Sequence, residues 1–194
     1  MPKIVDHHQR RTLIADALMR VAAERGLEEV SLRHVAAEAG VTSGMVQHYF
    51  RTKDELMGFA MAVVRERTEA RVAAAAGRLG PAPAPGDLVR TLLTEILPLD
   101  EQRRADGRVA LAFLAYAAVR PDAAAALRAD TEGMLAFVAG LIATARPDLD
   151  APAAAAGLLA MMEGLGVYLL GAHVTADQAL AALDAQLALI FEGG

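Results

Sequence analysis

Cysteine is absent from all 194 residues. That excludes a disulfide scaffold, a zinc site built on thiolates, an iron–sulfur centre and a thiol nucleophile. Tryptophan is also absent, the only serines are Ser31 and Ser43, and aromatics make up 4% of the chain. A β-rich fold has too few β-branched and aromatic residues to fill its strands. What is abundant favours helix: alanine occupies 44 positions, and arginine outnumbers lysine 17 to 2. The length is that of one domain or two small ones, enough to bury a core without a staple.

The formal net charge of −5 argues by itself against a partner made of phosphates. Its distribution changes the reading. Residues 1–56 hold eight Lys/Arg and eight Asp/Glu and are neutral, so the whole deficit lies in the C-terminal part. No apolar run in the first 30 residues is long enough for a secretory signal. Residues 151–172 carry one charge, Glu163, over about the length of a bilayer span. Their apolar content is largely Gly and Ala, and no Lys or Arg cluster flanks them. The expectation is a helix buried on most sides in a soluble bundle, in a cytoplasmic protein without a membrane partner.

Punctuation divides the chain into helices. Apolar spacing through Leu13, Ile14, Ala17, Leu18 and Val21 predicts a helix over 9–25, stopped by Gly26. Ser31 caps a short helix over 32–39, and Thr42 caps another over 43–50. Thr52-Lys-Asp-Glu55 is a capping box that opens a long helix reaching 77–80. The alternating prolines of 80–86 break it. Five more helices are expected at 87–97, 100–119, 121–145, 151–171 and 176–191, the last opened by a Thr175/Gln178 capping box. The fold class is therefore all-α, with about nine helices. A division into 1–52 and 53–194 is expected.

The three short N-terminal helices have the pattern of a helix-turn-helix. Ala36 lets two helices cross closely, Gly40 supplies a left-handed turn, and Val46 plugs the underside of the second helix. Val35, Ala39, Val41 and Phe50 complete a small core with Leu18 and Val21. Thr42, Ser43, Gly44, Gln47 and His48 or Tyr49 are left facing outward, short and polar enough to enter a major groove.

The run Val30-Ser-Leu-Arg-His-Val-Ala-Ala-Glu-Ala-Gly-Val-Thr-Ser-Gly-Met-Val-Gln-His-Tyr-Phe-Arg-Thr-Lys-Asp-Glu-Leu56 resembles the DNA-binding signature of the TetR family of transcriptional repressors. The resemblance covers roughly 8–58; Met1–Asp6 and Met45–Phe50 are most similar to its BetI-like branch. It implies an N-terminal three-helix DNA-binding domain and a C-terminal helical bundle for ligand binding and dimerisation. On the matching positions it implies that Arg33 reaches a guanine edge and that Thr42 bonds phosphate. Ser43, Gly44 and Gln47 face bases, while Tyr49 and Lys53 clamp phosphates. His48 stands beside them as a packing or phosphate-side residue. Many members carry Tyr where this chain has Gln47, so their target sequences do not transfer. With residues 1–56 neutral, phosphate attraction rests on Arg10, Arg11, Arg33, Arg51 and Lys53, and is expected to be strongly salt-dependent.

In the C-terminal part Phe113, Tyr116, Met134, Phe137, Met161 and Tyr168 lie on the most apolar helices, as core or as ligand contacts. Glu163, alone among apolar neighbours, faces either a cationic or hydroxylated ligand or an arginine such as Arg108. Leu158, Leu159, Met162 and Leu165, with Leu180, Leu183, Leu187 and Ile190, form the expected dimer stripe, with Gly157, Gly164 and Ala182 allowing close approach. A four-helix interface of two copies would present two reading heads to a palindromic operator.

The five histidines have no metal spacing, both serines lie in the helix-turn-helix, and no glycine-rich phosphate loop is present. No cofactor, no metal and no catalytic residue is expected, and the chain is not expected to be an enzyme. The function expected is a dimeric repressor released from operator DNA by a small-molecule effector. The alternative is a DNA-binding dimer whose bundle only dimerises or meets a protein partner.

Overall fold

The computed structural model describes residues 7–25 and 30–193. Among them are nine helices and no strand: α1 (His7–Arg25), α2 (Leu32–Glu38), α3 (Ser43–Tyr49), α4 (Lys53–Gly77), α5 (Pro85–Ile96), α6 (Glu101–Ala117), α7 (Pro121–Ala145), α8 (Ala151–Leu170) and α9 (Ala176–Phe191). The fold is all-α, as expected. The Met1–Asp6 segment and the Gly26 helix stop lie outside the described residues.

Side-chain caps set most of the helix starts. The Ser31 hydroxyl accepts from the His34 amide at 3.2 Å, and Thr42 accepts from the Met45 amide at 3.2 Å. Thr175 and Gln178 form the reciprocal box, at 2.9 and 3.2 Å. The box expected at Thr52 differs. Thr52 accepts from the Glu55 amide at 3.1 Å, but the Glu55 carboxylate reaches one residue further back, to the Arg51 amide at 2.7 Å. The last proline of the 80–86 break does not exclude helix either. Pro85 opens α5, a position where its missing N–H and fixed φ cost nothing.

Two apolar clusters organise the chain. One joins α1, α2, α3 and the first half of α4 to Val109 and Phe113 of α6. The other is built from α5, α7, α8 and α9. Leu56, Met57, Ala60, Val63 and Val64 of α4 belong to the first cluster, so the long helix is rooted in the N-terminal core and runs on from it. Its arginines tie it to three other helices. Arg65 pairs with Asp130 of α7 at 2.9 Å, Arg67 with Asp16 of α1 at 2.7 Å, and Arg71 with Asp106 of α6 at 3.1 Å. Asp106 is 3% exposed and is the one charged side chain buried to that degree among the described residues. It also accepts from Gln102 at 3.1 Å and lies 3.6 Å from Arg67.

Helix α8 is not buried on most sides. By length and hydropathy it could cross a bilayer, yet 28% of that window is buried in the protomer. Ala155, Leu158, Leu159, Met162 and Leu169 turn one face inward, and Ala153, Gly157, Ala160 and Gly164 leave the other open. Ala raises the hydropathy of a segment without needing burial as Leu or Phe would.

Candidate nucleic-acid interface

Helices α2 and α3 form the expected helix-turn-helix. Gly40 makes the turn at φ +66°, with no atom within 4 Å of where a Cβ would stand. Its requirement is therefore backbone conformation rather than close approach. Val46 and Phe50 are fully buried beneath α3, packed with Leu18, Val21, Val35 and Ala36. Each such side chain contributes about 1.5–3 kcal/mol by leaving water, which fixes the angle at which α3 is held.

With Val46 inward, Thr42, Ser43, Gly44, Gln47 and His48 are exposed on one surface. Thr42 accepts the cap hydrogen bond through a lone pair, so its own hydrogen is free for a phosphate oxygen. At Gly44 only the Thr42 hydroxyl oxygen, 4.0 Å away, stands near the Cβ position, and the missing side chain lets DNA approach the backbone of the first turn. Tyr49 is half-buried against the core. The rings of His7 and His48 lie edge-on to it at 4.6 and 5.3 Å, so the start of α1 meets the end of α3. Arg33 is exposed on α2, Arg51 is exposed after α3, and Lys53 is the first residue of α4. Arg11 does not join this basic rim. Its guanidinium lies 4.9 Å from the Phe50 ring and 4.4 Å from that of Phe59, spent on the edge of the core.

The C-terminal candidates do not converge. Phe113 is buried in the N-terminal cluster, and Tyr116 packs against it while its hydroxyl donates to the Asp54 carboxylate. Burial, then that hydrogen bond, raises the Tyr116 hydroxyl pKa above its ordinary value. Met134 and Met161 pack against the bundle core, while Phe137, Glu163 and Tyr168 are exposed. Apolar spacing marks a stripe, but not which stripes meet. Arg108 is 3.8 Å from Glu101 and is not the partner of Glu163. Although Glu163 is exposed, its carboxyl is partly desolvated, and that alone raises its pKa.

The expected dimer stripe is likewise redirected. Leu158, Leu159, Met162, Leu183, Leu187 and Ile190 are buried in the protomer's own core, with Leu165 and Leu180 half-buried. Periodicity identifies a stripe without saying whether its own bundle or a second copy covers it. The faces left open carry Gly157, Ala160, Gly164, Val167 and Tyr168 on α8, and Ala181, Ala185 and Leu189 on α9. Asp106 escaped the sequence reading, although a signal existed. It stands in register with Val109, Phe113 and Ala117 on the buried stripe of α6.

No group of three His, Asp or Glu side chains among the described residues is placed to hold a metal. Residues 14–58 match the model of the bacterial regulatory proteins of the TetR family, and residues 85–192 match that of the BetI-type transcriptional repressor C-terminal domain. The chain belongs to the TetR family and is a transcriptional repressor with a DNA-binding domain, not an enzyme. The transcriptional regulator PksA of Bacillus subtilis is 36% identical over 174 residues, 87% of this chain and 82% of that one. A transcriptional regulator from Rhodococcus sp. Rha1 superposes with a TM-score of 0.84 at 34% identity, over 94% of this chain and 96% of its own. A regulator from Saccharomonospora viridis, solved in complex with choline, shares the fold at 19% identity with a TM-score of 0.79, over 92% and 95% of the two chains.

Proposed function

We propose that this repressor works as a homodimer on a palindromic operator and leaves it when a small molecule occupies its C-terminal part. The observation that carries the reading is the exposed face of α3, with Val46 and Phe50 locked beneath it. Residues 1–52 form the reading head and 53–194 the dimerising and effector-responsive part. Ser43, Gly44 and Gln47 read bases, glutamine by its bidentate match to adenine, and Arg33 reaches a guanine edge. Thr42, Tyr49 and Lys53 hold phosphates, with His48 at the phosphate side. Work on DNA places the protein in the bacterial cytoplasm.

The open faces of α8 and α9 support dimerisation, because their small residues allow helices of two copies to approach closely. Helix α4 supports transmission. It carries Lys53 at one end, and its arginines tie it to α1, α6 and α7. An effector acts by favouring the state in which the two heads no longer match the operator. The choline held by the Saccharomonospora viridis regulator is a small-molecule precedent for this architecture.

One observation favours the ligand-free reading. The bundle interior is filled, with Leu93, Leu97, Val138, Ile142, Leu158 and Leu183 all at 0% exposure. Sedimentation of the protein with a selected operator duplex, followed by a thermal-shift screen of small molecules, separates the two. Two chains per duplex and an effector that raises Tm and releases DNA are expected. A monomer on DNA contradicts the dimer, and a Tm that no compound moves favours the ligand-free reading.

A further inference from the structure

With the bundle interior filled, an open groove of about 260 Å³ lies elsewhere, between the end of α6 and the first half of α7. Its walls are apolar, formed by Leu114 of α6, Ala118 that caps the end of α6, and Leu127 of α7. Its polar groups sit along one edge: Arg128, Thr131 and Glu132. Arg128 and Glu132 have no ion-pair or hydrogen-bond partner among the described residues. The Thr131 hydroxyl already donates to the Leu127 carbonyl at 2.9 Å, so towards an occupant it can only accept. The edge therefore offers donors from Arg128 and acceptors from Thr131 and Glu132.

This complement fits a head group that both accepts and donates while carrying no net charge. A carboxylate would satisfy Arg128 but meet Glu132, and an ammonium would do the reverse. A primary amide satisfies both, with its carbonyl towards Arg128 and its N–H groups towards Thr131 and Glu132. The apolar walls and the volume suit a medium-length hydrocarbon body, smaller than a drug-sized ligand.

The groove is placed to act on α4. Leu114 and Ala118 lie two residues either side of Tyr116, so they stand roughly opposite it on a helix of ~3.6 residues per turn. Tyr116 donates to Asp54, the neighbour of Lys53, and the Arg120 guanidinium covers the Tyr116 ring at 3.9 Å. On the α7 wall Asp130, next to Thr131, holds Arg65 of α4 through two hydrogen bonds of 2.9 Å. An occupant that resets the separation of α6 and α7 thus bears on both ties to α4.

We propose that the α6–α7 groove is the effector site and that it takes neutral, amide-headed amphiphiles; this rests on the effector reading above. The chain has no tryptophan, so Leu114→Trp places a single reporter in the groove. Titration with octanamide is expected to change its emission saturably, and adding Ala118→Phe, which fills the groove, abolishes the change. Arg128→Ala weakens octanamide about fivefold. In the otherwise unaltered chain octanamide lowers operator affinity, and in Ala118→Phe it does not. An unmoved emission together with an unmoved Tm of the native protein overturns the proposal. Octanoate or octylammonium binding as tightly as octanamide overturns the head-group assignment, and octanamide binding without effect on DNA overturns the effector role. A compound that raises Tm and releases DNA equally in the native and Ala118→Phe proteins overturns the site while leaving the effector reading in place.

Discussion

The guanidinium of Arg67 on α4 lies between two carboxylates, 2.7 Å from Asp16 of α1 and 3.6 Å from Asp106 of α6. One side chain thus joins the first helix of the reading head to a helix that also packs on the bundle. Asp106 is 3% exposed and holds Arg71 as well, so removing it takes a buried counter-charge from two arginines and leaves Arg67 paired with Asp16 and Arg71 with the Thr68 hydroxyl. Asp106→Ala is expected to cost about 3 kcal/mol in chemical denaturation and to weaken operator binding without touching DNA. Asp106→Asn, which keeps a hydrogen-bond acceptor, costs less.

Gly40 holds φ +66° with open space around it. Gly40→Ala is therefore expected to destabilise the protein by about 1 kcal/mol through backbone strain alone. Gly40→Asn, a residue that tolerates this conformation, recovers part of the loss. Denaturant midpoints at unchanged m-value check both.

Arg33 is exposed on α2 beside the reading helix. Arg33→Ala is expected to cost about 1–3 kcal/mol of operator affinity and to relax preference at one base position. Competition binding against single-base operator variants reads this directly. A uniform loss across all variants would make Arg33 a phosphate contact instead.

Glu163 bears on pH. Partial desolvation raises its carboxyl pKa above the ordinary 4.5, so its surroundings favour the neutral acid. The stability linked to it is complete below the unfolded pKa and is lost as pH rises through the raised folded value. Glu163→Gln is expected to flatten that part of the Tm–pH profile and to raise Tm at neutral pH. An unchanged profile would show that the carboxylate is fully solvated in the working assembly.

The reading head was largely legible in the sequence because its determinants are local. Ser31, Thr42 and Thr52 each cap a helix by accepting from the amide three residues ahead, and Gly40 and Val46 sit at fixed offsets from them. What stayed hidden depends on pairing across long separations. Arg67 and Asp16 are 51 residues apart, and Arg71 and Asp106 are 35 apart. The inward turn of Leu158, Leu183 and Leu187 was hidden for the same reason, since a helix with two apolar faces does not encode which one its own bundle takes. The scattering of Phe113, Phe137 and Tyr168 is another case, with composition showing apolar helices but not their rotation about one another.

Selection of bound sequences from a random duplex library, with Gln47→Ala and Lys53→Ala run beside the native protein, asks whether the α3 face reads bases. One enriched palindrome is expected, with a preference that Gln47→Ala changes at specific positions. Lys53→Ala should weaken binding evenly across sequences and reduce the salt slope by about 1. No enrichment at low salt, or equal loss of all sequences in Gln47→Ala, would contradict the assignment of the α3 face as the surface that reads DNA.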